Sequence, residues 1–413
     1  MLVLFGELFN RGYANGLVEE AERRGMKIIR ATVGRREKDG SLRALTAEEV
    51  AQQPAPLINV PLEAGFDLEP ASDGLSPVDR IKEVKLSDWE SCKIDKSKLI
   101  ESRDKGRARF TAAVRAYLQE LKTQLPAGKN VLFAHLMAGG VPRAKIIMPM
   151  MNRSVKGTGD RFLSSERFWK SDLGQLCEMS FREVTAETFR ILIEETANLR
   201  AEIEKSGAFV SYSAYGYHGT EVIVNGQYDW QTYTPYLQGW AKKDLENYSK
   251  EFFSKGVRSC VYNCPEILTN SSSIFQGVEM PLYPLIEALR KENANSPKTK
   301  KVEADCQALL KPGVTLADVL KVCHETLNNP DVRKKMNFDK WPEHNDEKQL
   351  SVVLDASEAV SSMHTDSKSL MTAVLSEVVF SSCGAVMVED VAAPSAPVTW
   401  LNHDVVARTH FEV

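Results

Sequence analysis

MLVLFGELFNRGYANGLVEEAERRGMKIIRATV, residues 1–33, decides the fold. Met1 to Phe5 is a short apolar run that reads as a buried strand. A turn follows with glycines at Gly6, Gly12 and Gly16, and the next stretch places Leu17, Val18 and Ala21 on one helical face, with Gly25 as its C-terminal stop. Lys27 to Val33 is a second strand, ending in Gly34-Arg35-Arg36. Strand, glycine turn, helix, strand is the opening of a dinucleotide-binding βαβ unit. The glycines let the backbone approach a pyrophosphate, whose charge sits at the helix N-terminus. The spacing is Gly, five residues, Gly, three residues, Gly, not G-x-G-x-x-G. Turn and packing glycines in an α/β protein with no nucleotide fit that spacing as well.

The whole chain has 413 residues, with 52 basic and 56 acidic side chains and a formal charge of −4. That balance argues against a protein whose task is holding nucleic acid or an acidic membrane. At 43% hydrophobic and 26% charged, the composition excludes disorder and disulfide scaffolds and is that of a soluble globular protein. A length prior suggests two or three domains; the expectation drawn from the elements below is one enlarged doubly wound α/β domain over 1–413. The start lacks a basic segment before its apolar residues, so it does not read as a secretory signal, and the cytoplasm is expected. The apolar stretch 370–388 is interrupted by Glu377 and several serines, a poor membrane span. Cys260 and Cys264 have no second close pair to complete a zinc site, so no metal is expected.

Further strands are expected at 56–60, 130–135, 208–213 and 256–261, and a last one at Gly384 to Glu389. Helices are expected at 98–125, 185–205, 313–330 and 367–378. Ala138 and Gly139, after the central strand, are small enough for its backbone to lie against a cofactor ribose. Arg35 and Arg36 stand where a ribose 2′-phosphate would lie, and no acidic residue ends that strand. This favours NADPH, with NADH possible, although a solvated loop explains the same charges. Residues 141–170 form a basic, Met-rich excursion, expected to cover a binding site, with Met148, Met150 and Met151 serving either substrate or core. Glu221 to Trp230 alternates around Asn225-Gly226, a hairpin insertion within 217–232. Residues 293–380 read as a mostly helical C-terminal region.

Seven tyrosines lie between 212 and 248, close to two lysines. Thr234 reads as an N-cap and Pro235 as the first helical residue. Tyr236 and Lys243 are seven apart, about 700° of helical turn, so they share a face. Tyr233 lies outside that helix and can fold back towards Lys242. Geometry does not choose between the pairs.

Several segments resemble enoyl-ACP reductases of the short-chain dehydrogenase/reductase superfamily. Asn10-Arg11-Gly12-Tyr13-Ala14-Asn15-Gly16 resembles that family's Asn-Arg-Ser-Ile-Ala-x-Gly, with Gly12 in place of Ser. His135-Leu136-Met137-Ala138 is similar to its His-Ser-Ile-Ala, and Gly239 to Glu246 to its Gly-x-Ala-Lys-x-x-Leu-Glu. The resemblance makes Lys242 the active-site lysine and Tyr233 the tyrosine, eight residues intervening as in the long trans-2-enoyl-ACP/CoA reductases. A second upstream tyrosine of related enzymes is matched by Tyr215 or Tyr236. The resemblance also implies that Asn59 and Val60 flank adenine and that Gly6, Asn10, Gly12 and Gly16 line the phosphates. It places Ile267 on the nicotinamide amide and Thr269 on phosphate. The ketoreductase Tyr-x-x-x-Lys is absent, which favours C=C over C=O reduction. The implied activity is NAD(P)H-dependent reduction of trans-2-enoyl thioesters in fatty acid synthesis, with the carrier (ACP or CoA) and the oligomeric state left open. A carbonyl reductase or a non-catalytic nucleotide sensor on the same fold are the competing readings. The resemblance ends near residue 292.

Overall fold

The structure, a computed structural model, describes residues 1–232, 235, 237–269 and 276–413. Seven strands form one parallel sheet: β1 Leu2–Glu7, β2 Ile28–Thr32, β3 Leu57–Pro61, β4 Val131–His135, β5 Val210–Tyr215, β6 Arg258–Asn263 and β7 Val398–Trp400. Their spatial order is β7-β6-β5-β4-β1-β2-β3, with β1 between β2 (Leu2 beside Ile28) and β4 (Leu2 beside Leu132). Strand order thus reverses between β1 and β4, the doubly wound arrangement. Helices cover both faces, which is why the central strands β1 and β4 read as apolar runs rather than alternating ones.

The helices that matter for the site are α1 Tyr13–Arg23, α2 Lys96–Gln124, α3 Ile147–Lys156, α4 Asp172–Arg182, α5 Thr188–Glu195, α6 Gly239–Ser254, α7 Glu347–Met363 and α8 Met371–Asp390. On one face, α2, α5 and α6 pack Phe110, Val114, Phe189 and Leu245 against Val3, Phe5 and Phe133. On the other, Leu17 and Ala21 of α1 join Leu375, Val379 and Met387 of α8 over Leu2, Leu4 and Ala134. Gly25 follows α1 with φ +63, a left-handed stop. The hairpin Thr220–Val224/Gln227–Gln231 forms as expected, with Asn225 and Gly226 at φ 49 and 81. Two positive φ values in sequence are what a type I′ turn requires.

Three expectations need correction. Gly384 to Glu389 is not the last strand but the end of α8; the strand is β7. Both flanks of α8 are buried, so it shows no helical periodicity. Among the described residues, α8 is the one helix long and apolar enough to cross a membrane, and 67% of that window is buried within the molecule. The helix bearing Lys242 starts at Gly239, not Pro235, because a turn at 237–238 intervenes. Gly239 is also where the chain meets Pro342, a Cβ there falling 2.8 Å from its ring. The helix expected at 185–205 is divided: α4 runs through a π-turn, Glu183–Glu187, into α5, and Ala197–Lys205 is separate. In the 141–170 excursion, Met150 and Met151 of α3 are fully buried with Phe66, Ile147 and Phe181, so these methionines pack core.

Candidate active site

The C-terminal ends of β1 and β4 diverge into a cleft, the position where doubly wound sheets bind nucleotides. It consists of two cavities that share Glu7, Phe9, Leu136 and Ala138. Gly12 caps α1 at φ +140, and a Cβ there would meet only Thr269, at 3.9 Å. Gly139, at φ +110, has nothing within 4 Å of a Cβ position. Backbone amides at the head of α1 and an open ribose-sized flank at 138–139 therefore fit a dinucleotide, with the phosphates near Gly12 and Thr269. Arg11 lies on the same turn, lines the cleft and makes no ion pair among the described residues.

Gly6 and Gly16 serve packing. At φ +118, Gly6 passes Met137 Sδ and Leu136, which would lie 3.1 and 3.3 Å from a Cβ. Gly16 faces α8, where a Cβ would fall 1.8 Å from the Phe380 carbonyl oxygen. Asn10 lies in the turn between them. Asn59 is turned from the cleft: its amide bonds both the N–H and the carbonyl of Leu45, at 2.9 and 2.8 Å. Val60 is buried in the core. The residues after β3 reach the cleft instead, where Arg143 bridges Glu63 and Asp67 at 2.8 Å each.

Arg35 and Arg36 are both engaged. Arg36 pairs with Glu63 at 2.7 Å, and Arg35 with Glu7 at 3.0 Å. Glu7, from the end of β1, also accepts from Thr32 Oγ1 at 3.1 Å and from the Val33 N–H at 3.3 Å. A carboxylate thus stands at the end of β2, although none occurs there in sequence; parallel pairing supplies it from the neighbouring strand.

Lys242 sits in the first turn of α6, is 8% exposed, and donates from Nζ to the Tyr215 carbonyl at 2.6 Å. Burial pushes its pKa down to about 8. The Tyr215 ring lies beside that of Tyr13, centroids 5.3 Å apart, and the Tyr13 hydroxyl donates to the Pro265 carbonyl at 2.5 Å. The Tyr215 hydroxyl is buried with no hydrogen-bond partner among the described residues. Ile267 and Thr269 line the same cavity, as does Glu266. His135, ending β4, points into the core onto Thr188 Oγ1 at 2.8 Å, and burial pushes its pKa down to about 3, so the ring is neutral. Ser211 and Ser213 are buried within β5 and do not line the cleft. Tyr233 and Tyr236 lie outside the described residues. The structure therefore brings Gly12, Ala138, Gly139, Tyr215, Lys242, Ile267 and Thr269 together. Sequence reasoning missed Glu7, Tyr13, Tyr217 and Glu266, which carried no motif of their own.

A doubly wound sheet with a glycine turn at its switch point, and a buried lysine heading the helix beyond β5, defines a nicotinamide-dependent reductase of the short-chain dehydrogenase/reductase type. Among curated protein sequences none matches the chain. The model of the enoyl-acyl carrier protein reductase FabMG family matches residues 1–410, and the chain belongs to that family. It is similar to a solved protein described as the apo structure of FabMG, a novel type of enoyl-acyl carrier protein reductase. Identity is 44% over 99% of this chain and 94% of that one, with a TM-score of 0.95. A second, described as the NADH-bound structure of FabMG, is 39% identical over 98% of this chain and 94% of that one, with a TM-score of 0.80. The fold, the enoyl reductase activity and the use of a nicotinamide cofactor expected from the sequence all hold.

Proposed function

We propose that the cleft between the glycine turn and residues 136–139 is where a trans-2-enoyl thioester is reduced, with Lys242 and Tyr233 carrying the step. The supporting observation is Lys242 itself: a buried ammonium lining the same cavity as the open flank at 138–139, donating to the Tyr215 carbonyl at 2.6 Å. The bound nicotinamide supplies hydride to the substrate β-carbon. Lys242 holds the ribose hydroxyls, and its charge offsets the negative charge that develops on the thioester oxygen. Tyr233 donates a hydrogen bond to that oxygen, with Tyr236 or Tyr215 assisting.

NADH is the favoured cofactor. Glu7 places a carboxylate where the adenosine ribose diol would lie, and Arg35 and Arg36, spent on Glu7 and Glu63, have no charge to offer a 2′-phosphate. Beside the cleft, Arg11, Lys156, Lys311 and the serines of α7 line a polar cavity of about 1160 Å³. Its mixture of cations and hydroxyls suits the phosphate and amides of a pantetheine arm, whether borne by ACP or CoA. The chain as a whole is one enlarged reductase domain, and its buried free thiols fit the cytoplasm.

The test is NADH oxidation with crotonyl-CoA and with acetoacetyl-CoA. Turnover with the first and not the second supports C=C reduction, and the reverse supports the carbonyl reading. Tyr233→Phe is expected to lower crotonyl-CoA turnover by about 10²-fold or more, the worth of one oxyanion donor; unchanged turnover would remove Tyr233 from the mechanism.

A further inference from the structure

Enoyl reduction consumes one hydride and one proton, and the residues above account for the hydride alone. Glu266 is 4% exposed, follows β6 and lines the cleft with Lys242 and Ile267. Its Oε1 accepts from the Tyr217 hydroxyl at 2.8 Å, whereas its Oε2 is buried with no partner among the described residues. A fully ionised carboxylate would leave that oxygen charged and unsatisfied, a costly arrangement. A carboxylic acid leaves it uncharged, at lower cost.

The groups facing Glu266 agree. Tyr217 comes from the loop after β5, Tyr13 from α1 bonds the carbonyl of the adjacent Pro265, and Glu279 adds like charge from the helix Glu279–Leu282. Neither cation of the cleft pairs with Glu266 among the described residues: Lys242 is bonded to the Tyr215 carbonyl, and Arg11 lies on the glycine turn. Burial outweighs the Tyr217 hydrogen bond, which pulls the other way, and with Glu279 adding like charge pushes the Glu266 pKa up to about 7.

We propose that Glu266, acting through Tyr217, is the store of the proton that completes the saturated product. This rests on the reading of the cleft as the reduction site. Hydride from NADH forms the β-carbon C–H bond and leaves an enolate, NADH being oxidised to NAD⁺. With the Glu266 proton on Oε1 the Tyr217–Glu266 hydrogen bond is reversed: the Tyr217 hydroxyl gives its proton to the enolate, forming the α-carbon C–H bond, and takes the Oε1 proton as that O–H bond breaks. The carboxylate is reprotonated from water between turnovers. Glu266 is thus a positioning residue for the proton and Tyr217 the catalytic one.

The experiment measures crotonyl-CoA reduction from pH 5.5 to 9 for wild type, Glu266→Gln and Tyr217→Phe, with thermal midpoints confirming folding. The wild-type rate is expected to fall as pH rises through about 7, where the acid form is lost. Glu266→Gln should lower kcat about 10²-fold at pH 6, abolish that limb, and leave KM for NADH within about twofold. Tyr217→Phe should give the same loss, and the double variant no further loss. A limb retained near pH 7 in Glu266→Gln, or unchanged kcat in both single variants, overturns the proposal. Lys242→Met separates the two readings. If it leaves turnover intact, the cleft is not the reduction site; if it abolishes turnover while Glu266→Gln keeps the limb, only the proton store fails.

Discussion

The crossing of α1 and α8 gives the sharpest stability test. Gly16 and Gly384 face each other there: a Cβ on Gly16 would lie 1.8 Å from the Phe380 carbonyl oxygen, and one on Gly384 would lie 2.2 Å from the Gly16 carbonyl. Both obstacles are backbone, so no rotamer change relieves them, and the helices must part by more than about 1 Å to restore ordinary contact. Alanine is worth about 1 kcal/mol more than glycine inside a helix, so an unobstructed Gly16→Ala would stabilise. Overpacking of this kind costs about 3 kcal/mol or more, and the clash decides the sign. With an unfolding entropy of about 2.1 cal/mol/K per residue, 413 residues give about 0.9 kcal/mol/K, so a net loss of about 2–3 kcal/mol lowers Tm by about 2–4 °C. Gly384→Ala should behave alike. The double variant should lose less than the two single losses together, because helices parted for one methyl already admit the other. Scanning calorimetry reads the three shifts, and an NADH titration reads the second consequence: α1 carries the Gly12 phosphate turn, so Kd should rise in the same variants. A Gly16→Ala protein with unchanged or higher Tm would refute the crossing.

Two further outcomes follow from the charges of the cleft. Lys242 titrates near 8 when folded and at the usual lysine value when unfolded, so between those values the unfolded chain binds more protons and its contribution makes stability rise with pH. Lys242→Met should flatten that rise in Tm measured from pH 7.5 to 9.5, and wild-type NADH affinity should weaken above pH 8 as the ammonium is lost. Glu7→Gln removes the carboxylate from the proposed ribose site and releases Arg35. The ratio of kcat/KM for NADH to that for NADPH should fall about tenfold, the worth of one charge-assisted hydrogen bond; an unchanged ratio would show that Glu7 does not set the preference.

What the sequence made legible is chemistry confined to contiguous segments. The glycine turn, the Asn225-Gly226 hairpin and the Gly239–Glu246 stretch each hold their requirement within a few residues, so local pattern pointed to the first two and family resemblance to the third. Glu7 was hidden because its role arises from pairing: β1 and β2 lie in parallel, and only that register sets the Glu7 carboxylate beside Thr32 and Val33. Asn59 misled for a related reason. It holds the position of an adenine-side residue, yet its amide is fully used by Leu45 in the chain that follows the Arg35–Arg43 hairpin. Glu266 carried no reading of its own, because nothing local in the sequence says that it is buried and bonded to Tyr217. In α8 the apolar pattern that marks a helix vanished because both of its flanks are covered.

The C-terminal residues, which carried no motif, acquire a mechanical role from the same contacts. α8 contacts two of the segments that flank the cleft. It crosses α1 at Gly16, behind the phosphate turn, and its Ser376 hydroxyl accepts from the Leu268 N–H at 3.0 Å, between Ile267 and Thr269. The two backbone segments that would hold the phosphates and the nicotinamide come from opposite ends of the reductase sequence and from loops with no direct strand pairing to each other. A single rigid helix bonded to one and interlocked with the other fixes their separation. That accounts for a glycine at 384, where a strand was expected: the position is reserved for the closest approach of two helices, and the distance between two halves of a binding site depends on it.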